Sequence, residues 1–122
     1  MIADDDTSVG AALVELIHTQ PGLAFAGFAF DTSSEIELAE REQPDVAIVD
    51  VHMPGGGGVT ATIGIKRSSP KTRVIAFSAE NDDIIKAAMV AAGASDYLIK
   101  GTAIDMILET LRNAAHGAHD KQ

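Results

Sequence analysis

Short runs of consecutive apolar residues alternate along the chain with longer stretches in which apolar residues recur every three or four positions. That alternation predicts five βα units. The first strand is read at Met1–Ala3, and its helix carries Val9, Ala12, Leu13, Leu16 and Ile17 on one face before Pro21-Gly22 stops it. The second strand spans Leu23–Phe30. Its helix opens on Thr32-Ser33-Ser34-Glu35, a capping-box pattern in which hydroxyl and carboxylate each satisfy an orphan backbone donor, and ends near Gln43-Pro44. The third strand is Val46–Val49, with a helix from about Val59 to Arg67 broken by Ser68-Ser69-Pro70. The fourth strand is Val74–Phe77, and its helix repeats Ile84, Ile85, Ala88, Met89 and Ala92 before Gly93, a residue suited to a helix C-terminus. The fifth strand is Tyr97–Ile99. The last helix starts from a Thr102 cap, presents Ile104, Ile107, Leu108 and Leu111, and frays at Gly117.

Strands that read as unbroken apolar runs are buried on both faces, which is the signature of a parallel sheet covered by helices. Three charged points fall where such strands stop: Asp4-Asp5-Asp6, Asp50 and Lys100. In a parallel sheet those C-terminal ends converge, so carboxylates far apart in sequence meet beside a lysine in one cleft. A cleft of that kind suits a cation and a phosphoryl group. Size and composition narrow the picture further. The 122 residues form one domain of ordinary length, read as 1–117, with a flexible tail or the start of a linker to an output domain at 118–122. The brevity of the first strand leads us to expect a few further residues at the natural start. Few aromatics (one Tyr, four Phe, no Trp) point to a core of Ala, Val, Ile and Leu. Without cysteine there is no disulfide or thiolate metal site, so any metal is held by oxygen. A net charge of −9 repels a nucleic-acid backbone, so the domain itself is not expected to bind DNA or RNA. No run approaches the ~20 apolar residues of a membrane span and no secretory signal precedes the fold, so a cytoplasmic location is expected. Gly55–Gly58 is followed by Val59-Thr60 rather than the Lys-Ser/Thr of a phosphate-binding loop, and reads as a mobile loop. His18, His116 and His119 lack ligand spacing except for the last two on a fraying end, and are read as surface residues.

Asp4-Asp5, then Asp50-Val51-His52-Met53-Pro54 with Gly58 four further on, then Ser78-Ala79, then Ala92-Gly93-Ala94 with Tyr97 and Lys100, together resemble the receiver domain of two-component response regulators. The resemblance covers essentially the whole chain. It implies a flavodoxin-like, doubly wound five-stranded parallel sheet of order 2-1-3-4-5, with the site in the crevice between the first and third strands. It also implies roles. Asp50 is the phosphoacceptor nucleophile, forming an acyl phosphate. Mg2+ is bound by Asp5 and Asp50, by Asp4 through water, and by the His52 backbone carbonyl. Lys100 holds a phosphoryl oxygen and pairs with Asp50. Ser78 donates its hydroxyl to the phosphoryl group, and Tyr97 turns inward as Ser78 moves. His52 and Glu80 flank the site where they influence access of water.

The residues support that chemistry on their own terms, since clustered carboxylates repel one another and an incoming phosphoryl group, and a divalent cation relieves both. Each also has a plainer reading. Asp6 and Thr7 form an ordinary helix cap, Asp50 a turn residue, Lys100 a surface lysine, Ser78 a backbone partner and Tyr97 core filler. The family resemblance makes a sensor histidine kinase the donor and makes the fourth helix, fifth strand and fifth helix the face that shifts. It allows homodimers through that face or through the first and fifth helices, and places DNA contact in a separate output domain controlling transcription. The protein is then an acceptor with possible self-dephosphorylation, not a turnover enzyme. Gly101 stands where many receivers have proline, a variation that resembles receivers joined to NarL/LuxR-type output domains, and four consecutive glycines are unusual. Two other classes compete. A receiver-like module acting through protein contacts alone is disfavoured by the intact Asp5, Asp50, Ser78 and Lys100. An aspartyl phosphatase needs a general acid two residues after its nucleophile, where this chain has His52.

Overall fold

Among the residues described by the computed structural model (1–3, 7–52, 57–102 and 104–120), five strands and five helices alternate. They are β1 (Ile2–Ala3), α1 (Thr7–His18), β2 (Phe28–Ala29), α2 (Thr32–Glu42), β3 (Val46–Asp50), α3 (Gly57–Ser68), β4 (Arg73–Ser78), α4 (Asp83–Ala92), β5 (Ala94–Ile99) and α5 (Ile104–Asp120). The strands pair in parallel in the order β2-β1-β3-β4-β5, the doubly wound topology expected. Each parallel step needs a helical crossover, which is why strand and helix patterns alternate so regularly in the sequence.

Side chains alternate across the sheet with period two and build two cores. Ala47 and Val49 of β3, with Val74 and Ala76 of β4, pack with Leu38 and Ala39 of α2, Ala61 and Ile65 of α3 and Met89 of α4. Ile48, Ile75 and Phe77 face the other way, against Leu13 and Ile17 of α1 and Ile107 and Leu111 of α5. Ile65 and Ile75 have no exposed surface, and burying a side chain of that size stabilises the fold by about 1.5–3 kcal/mol. The helices on the first face come very close: a Cβ on Gly64 of α3 would overlap Ile36 of α2.

The register sets the site. Asp50 lies opposite Phe77, Phe77 opposite Leu98 and Ser78 opposite Ile99, so β3, β4 and β5 end together and Lys100 follows directly. Among the described residues no helix is long and apolar enough to cross a membrane.

Several boundaries differ from the sequence reading. The second strand is two residues rather than eight, because among the described residues β1 offers Ile2 and Ala3 as partners; beyond that ladder Gly27 O accepts from Ile2 N at 3.0 Å. Phe25 instead meets Phe28 edge to face, and Phe28 stacks on Phe30, with centroids 5.0 and 5.8 Å apart. The capping box falls one residue early. Asp31 is the N-cap of α2, its carboxylate accepting from Ser34 N at 2.8 Å, and Glu35 turns into the core. Thr102 does not act as expected: its hydroxyl donates to Ile99 O at 2.6 Å, closing the turn after β5, and α5 begins at Ile104. α5 then runs through Gly117 to Asp120, beyond the expected fraying point. A helix tolerates an internal glycine at about 1 kcal/mol. Gly93 ends α4 as read, with φ 120° and its N–H on Met89 and Val90 carbonyls.

Candidate functional site

Asp50 ends a strand buried on both faces, so its carboxylate emerges at the sheet edge only 3% exposed. A carboxylate so placed needs donors, and two are present. The His52 N–H donates to Oδ1 at 3.0 Å, and Lys100 Nζ donates to Oδ2 at 3.1 Å. Lys100 reaches across β4 to do this, its ammonium 5.8 Å from the centroid of the Phe77 ring. Aromatic faces attract cations, so Phe77 both floors the lysine and belongs to the core below.

Ser78 ends β4 with no exposed surface, and its hydroxyl accepts from Glu80 N at 3.1 Å. Glu80 is bonded at its other end: Tyr97 of β5 donates its hydroxyl to Glu80 O at 2.9 Å. Ser78 and Tyr97 are thus joined through one peptide segment of the loop after β4. Lys100 N donates to Ser78 O at 2.7 Å, which locks the ends of β4 and β5 together behind the site.

The loop after β3 is shaped by Gly58, whose N–H donates to Val51 O at 2.7 Å. A Cβ there would lie 2.8 Å from Val51 Cα and 2.9 Å from Asp50 O, so only glycine lets α3 start this close to the Asp50 backbone.

The structure therefore brings together Asp50, His52, Ser78 and Lys100, with Tyr97 tied in through Glu80. Asp4 and Asp5 lie outside the described residues, as do Met53, Pro54, Gly55 and Gly56. Among the described residues no group of three metal-ligating side chains occurs. Two features escaped the sequence reading. Phe77 as a platform for Lys100 follows only from the register. Glu35, taken for a capping residue, is fully buried with neither carboxylate oxygen bonded. Burial, and then the negative charge of Asp50, push the Glu35 carboxyl up to about 8, the Met1 α-amine pulling the other way. Burial likewise lowers the Met1 α-amine to about 6, against the pull of Glu35 and Asp45. A cleft of about 420 Å³ lies elsewhere, at the start of β4 and β5, lined by Lys66, Lys71 and Arg73 among others.

A doubly wound α/β domain of order 2-1-3-4-5, with a partly buried Asp–Lys pair at the shared end of its strands, defines a class of α/β domain with a charged site at its switch point. The chain belongs to the response regulator receiver domain family, which it matches over residues 1–112, and so to the receiver domains of two-component systems. It is 29% identical over 117 residues to the response regulator GacA of Pseudomonas aeruginosa, covering 96% of this chain and 55% of GacA. It is 30% identical over 119 residues to the nitrate/nitrite response regulator NarL of Escherichia coli, covering 96% of this chain and 54% of NarL. The chain thus spans about half the length of these relatives. Among solved structures it is similar to the signal receiver domain of the response regulator NarL from Mycobacterium tuberculosis, with TM-score 0.89, 26% identity, and 95% and 94% of the two chains covered.

Proposed function

We propose that the protein is a phosphorylation-operated switch in which Asp50 accepts a phosphoryl group from a phosphohistidine of a sensor kinase. The observation that carries this reading is the Asp50 carboxylate, buried and preoriented by the His52 N–H and Lys100. An Asp50 oxygen forms the new O–P bond as the donor's P–N bond breaks, and the departing imidazole takes its proton from solvent. Lys100 is already within bonding distance of Oδ2 and moves onto a phosphoryl oxygen, so its charge meets the group being transferred.

Magnesium prefers hard oxygen ligands and would be held by Asp50 and the His52 carbonyl together with Asp5, and with Asp4 through water, as the family resemblance implies. When bound, magnesium supplies the positive charge that offsets the clustered carboxylates and the phosphoryl oxygens. Ser78 answers the new charge by donating its hydroxyl to the phosphoryl group. The Glu80 N–H then loses its acceptor, the loop after β4 shifts, and Tyr97, bonded to Glu80 O, is released to turn inward. The α4-β5-α5 face is the surface that changes. Ile84 at 82% and Met106 at 57% exposure supply apolar contact there for a partner or a second copy. By analogy with the transcriptional regulatory protein DegU of Brevibacillus brevis, 27% identical over 117 residues, the readout is transcription through an output domain. In this reading the chain is an acceptor that is loaded and unloaded, not an enzyme that turns over substrate. Phosphotransfer from a kinase should fail in Asp50→Ala and persist in Asp120→Ala; equal labelling of both variants would sink the assignment.

A further inference from the structure

Two acidic side chains are buried among the described residues, and they are treated differently by the fold. Asp50 has an N–H and an ammonium; Glu35 has no exposed surface and no hydrogen-bond partner for either oxygen. Glu35 sits one turn before Leu38 and Ala39 on the face that α2 buries, so it takes a core position in an otherwise apolar stripe. The facing helix offers it no charge: the buried residues of α3 are Gly58, Ala61, Thr62 and Ile65, and the Thr62 hydroxyl is itself unpartnered. Among the described residues, the charged groups that bear on Glu35 are the Asp50 carboxylate at the end of β3 and the Met1 α-amine before β1, with opposite effects. An ionised carboxylate without donors or a paired cation is far more costly in such a place than a neutral acid.

We propose that Glu35 makes α2 a pH-operated latch, closed on the sheet while the side chain is a neutral acid and opened when loss of the proton drives it to water. α2 is capped at its start by the exposed Asp31 and tied at its end, where Gln43 in a left-handed turn donates to Ser68 O at 2.9 Å and accepts from Ser69 Oγ at 3.1 Å, so opening hinges at that end while Ile36 seats against Gly64 by apolar contact. The raised carboxyl, about 8 against an ordinary 4.5, places the working range across neutrality. The latch stands whether or not Asp50 accepts a phosphoryl group.

Between the two proton affinities each pH unit shifts the closed–open equilibrium tenfold, so opening of α2 should rise about fifty-fold from pH 6 to pH 8. The test is amide hydrogen exchange on the whole chain, corrected for intrinsic rates, following α2 with α5 as internal reference in wild type and Glu35→Gln. The latch predicts a steep rise confined to α2 of the wild type and a flat profile in Glu35→Gln. Equal pH dependence in both proteins, or α2 and α5 opening in step, would overturn it. Should Glu35→Gln fail to fold, the carboxyl carbon shift of Glu35 in the wild type decides. A midpoint near 8 supports the latch, and one near the ordinary 4.5 overturns it.

Discussion

Replacing Lys100 by Met keeps a chain of similar length over Phe77 and removes the ammonium from Asp50. At the observed 3.1 Å and an effective dielectric of about 20, the gross attraction is roughly 5 kcal/mol. Much of that is offset. The ammonium gave up water to reach the site, and with the lysine side chain 22% exposed, solvent still screens the pair. A net coupling of about 2 kcal/mol is the result we expect, intermediate between an exposed pair and a fully buried one. Lys100→Met alone should cost about 2–3 kcal/mol, because Asp50, 3% exposed, keeps only the His52 N–H. Asp50→Asn preserves that N–H bond and removes the charge, so Lys100→Met made in its background should cost markedly less. Urea unfolding followed by far-UV circular dichroism on all four proteins measures the cycle. With a slope of about 1.5 kcal/mol/M, a coupling of about 2 kcal/mol separates the midpoints by a little over 1 M. If the two single changes add to within about 0.5 kcal/mol, the pair is not coupled and the picture of Lys100 as the partner of Asp50 is wrong.

Gly58→Ala forces a Cβ against Val51 Cα and Asp50 O. It should destabilise by about 1–3 kcal/mol and disturb the Asp50 amide resonance in a two-dimensional NMR spectrum; an unshifted Asp50 signal would refute the close approach. Glu35 governs stability above acid pH. The folded state holds a proton that the unfolded chain releases, so stability falls as pH rises from about 4.5 to about 8 and levels off beyond, by up to about 5 kcal/mol in total. Urea midpoints across that range should converge for wild type and Glu35→Gln at the acid end and separate at the alkaline end; parallel curves would contradict a neutral buried acid. Tyr97→Phe removes the hydroxyl from Glu80 O and should cost about 0.5–1.5 kcal/mol in the resting protein. A loss near zero would mean that the Ser78–Glu80–Tyr97 chain does not hold the loop.

The topology was legible because parallel strands and crossover helices write different periods, and the strand ends carried Asp50, Ser78 and Lys100 in plain view. What periodicity does not encode is which neighbour a segment has to pair with. The stretch at 23–30 has strand composition throughout, yet only Phe28 and Ala29 find a ladder. Cap positions failed for a related reason. Thr32 and Asp31 are both good caps one residue apart, and choosing Thr32 made Glu35 a solvent-facing partner when it is the residue α2 turns inward. No local pattern marks a glutamate as buried; it becomes visible only when the apolar stripe is set against α3. Phe77 behaved similarly. As a strand residue it reads as core, and its second duty under Lys100 depends on β4 lying between β3 and β5.

The measurement that bears most directly on the switch is intact mass after incubation with acetyl phosphate, with and without magnesium, on wild type and Asp50→Asn. The account predicts a gain of one phosphoryl group by the wild type with magnesium, none without it, and none in Asp50→Asn. A gain of the same size in Asp50→Asn, or a wild-type gain indifferent to magnesium, would contradict it.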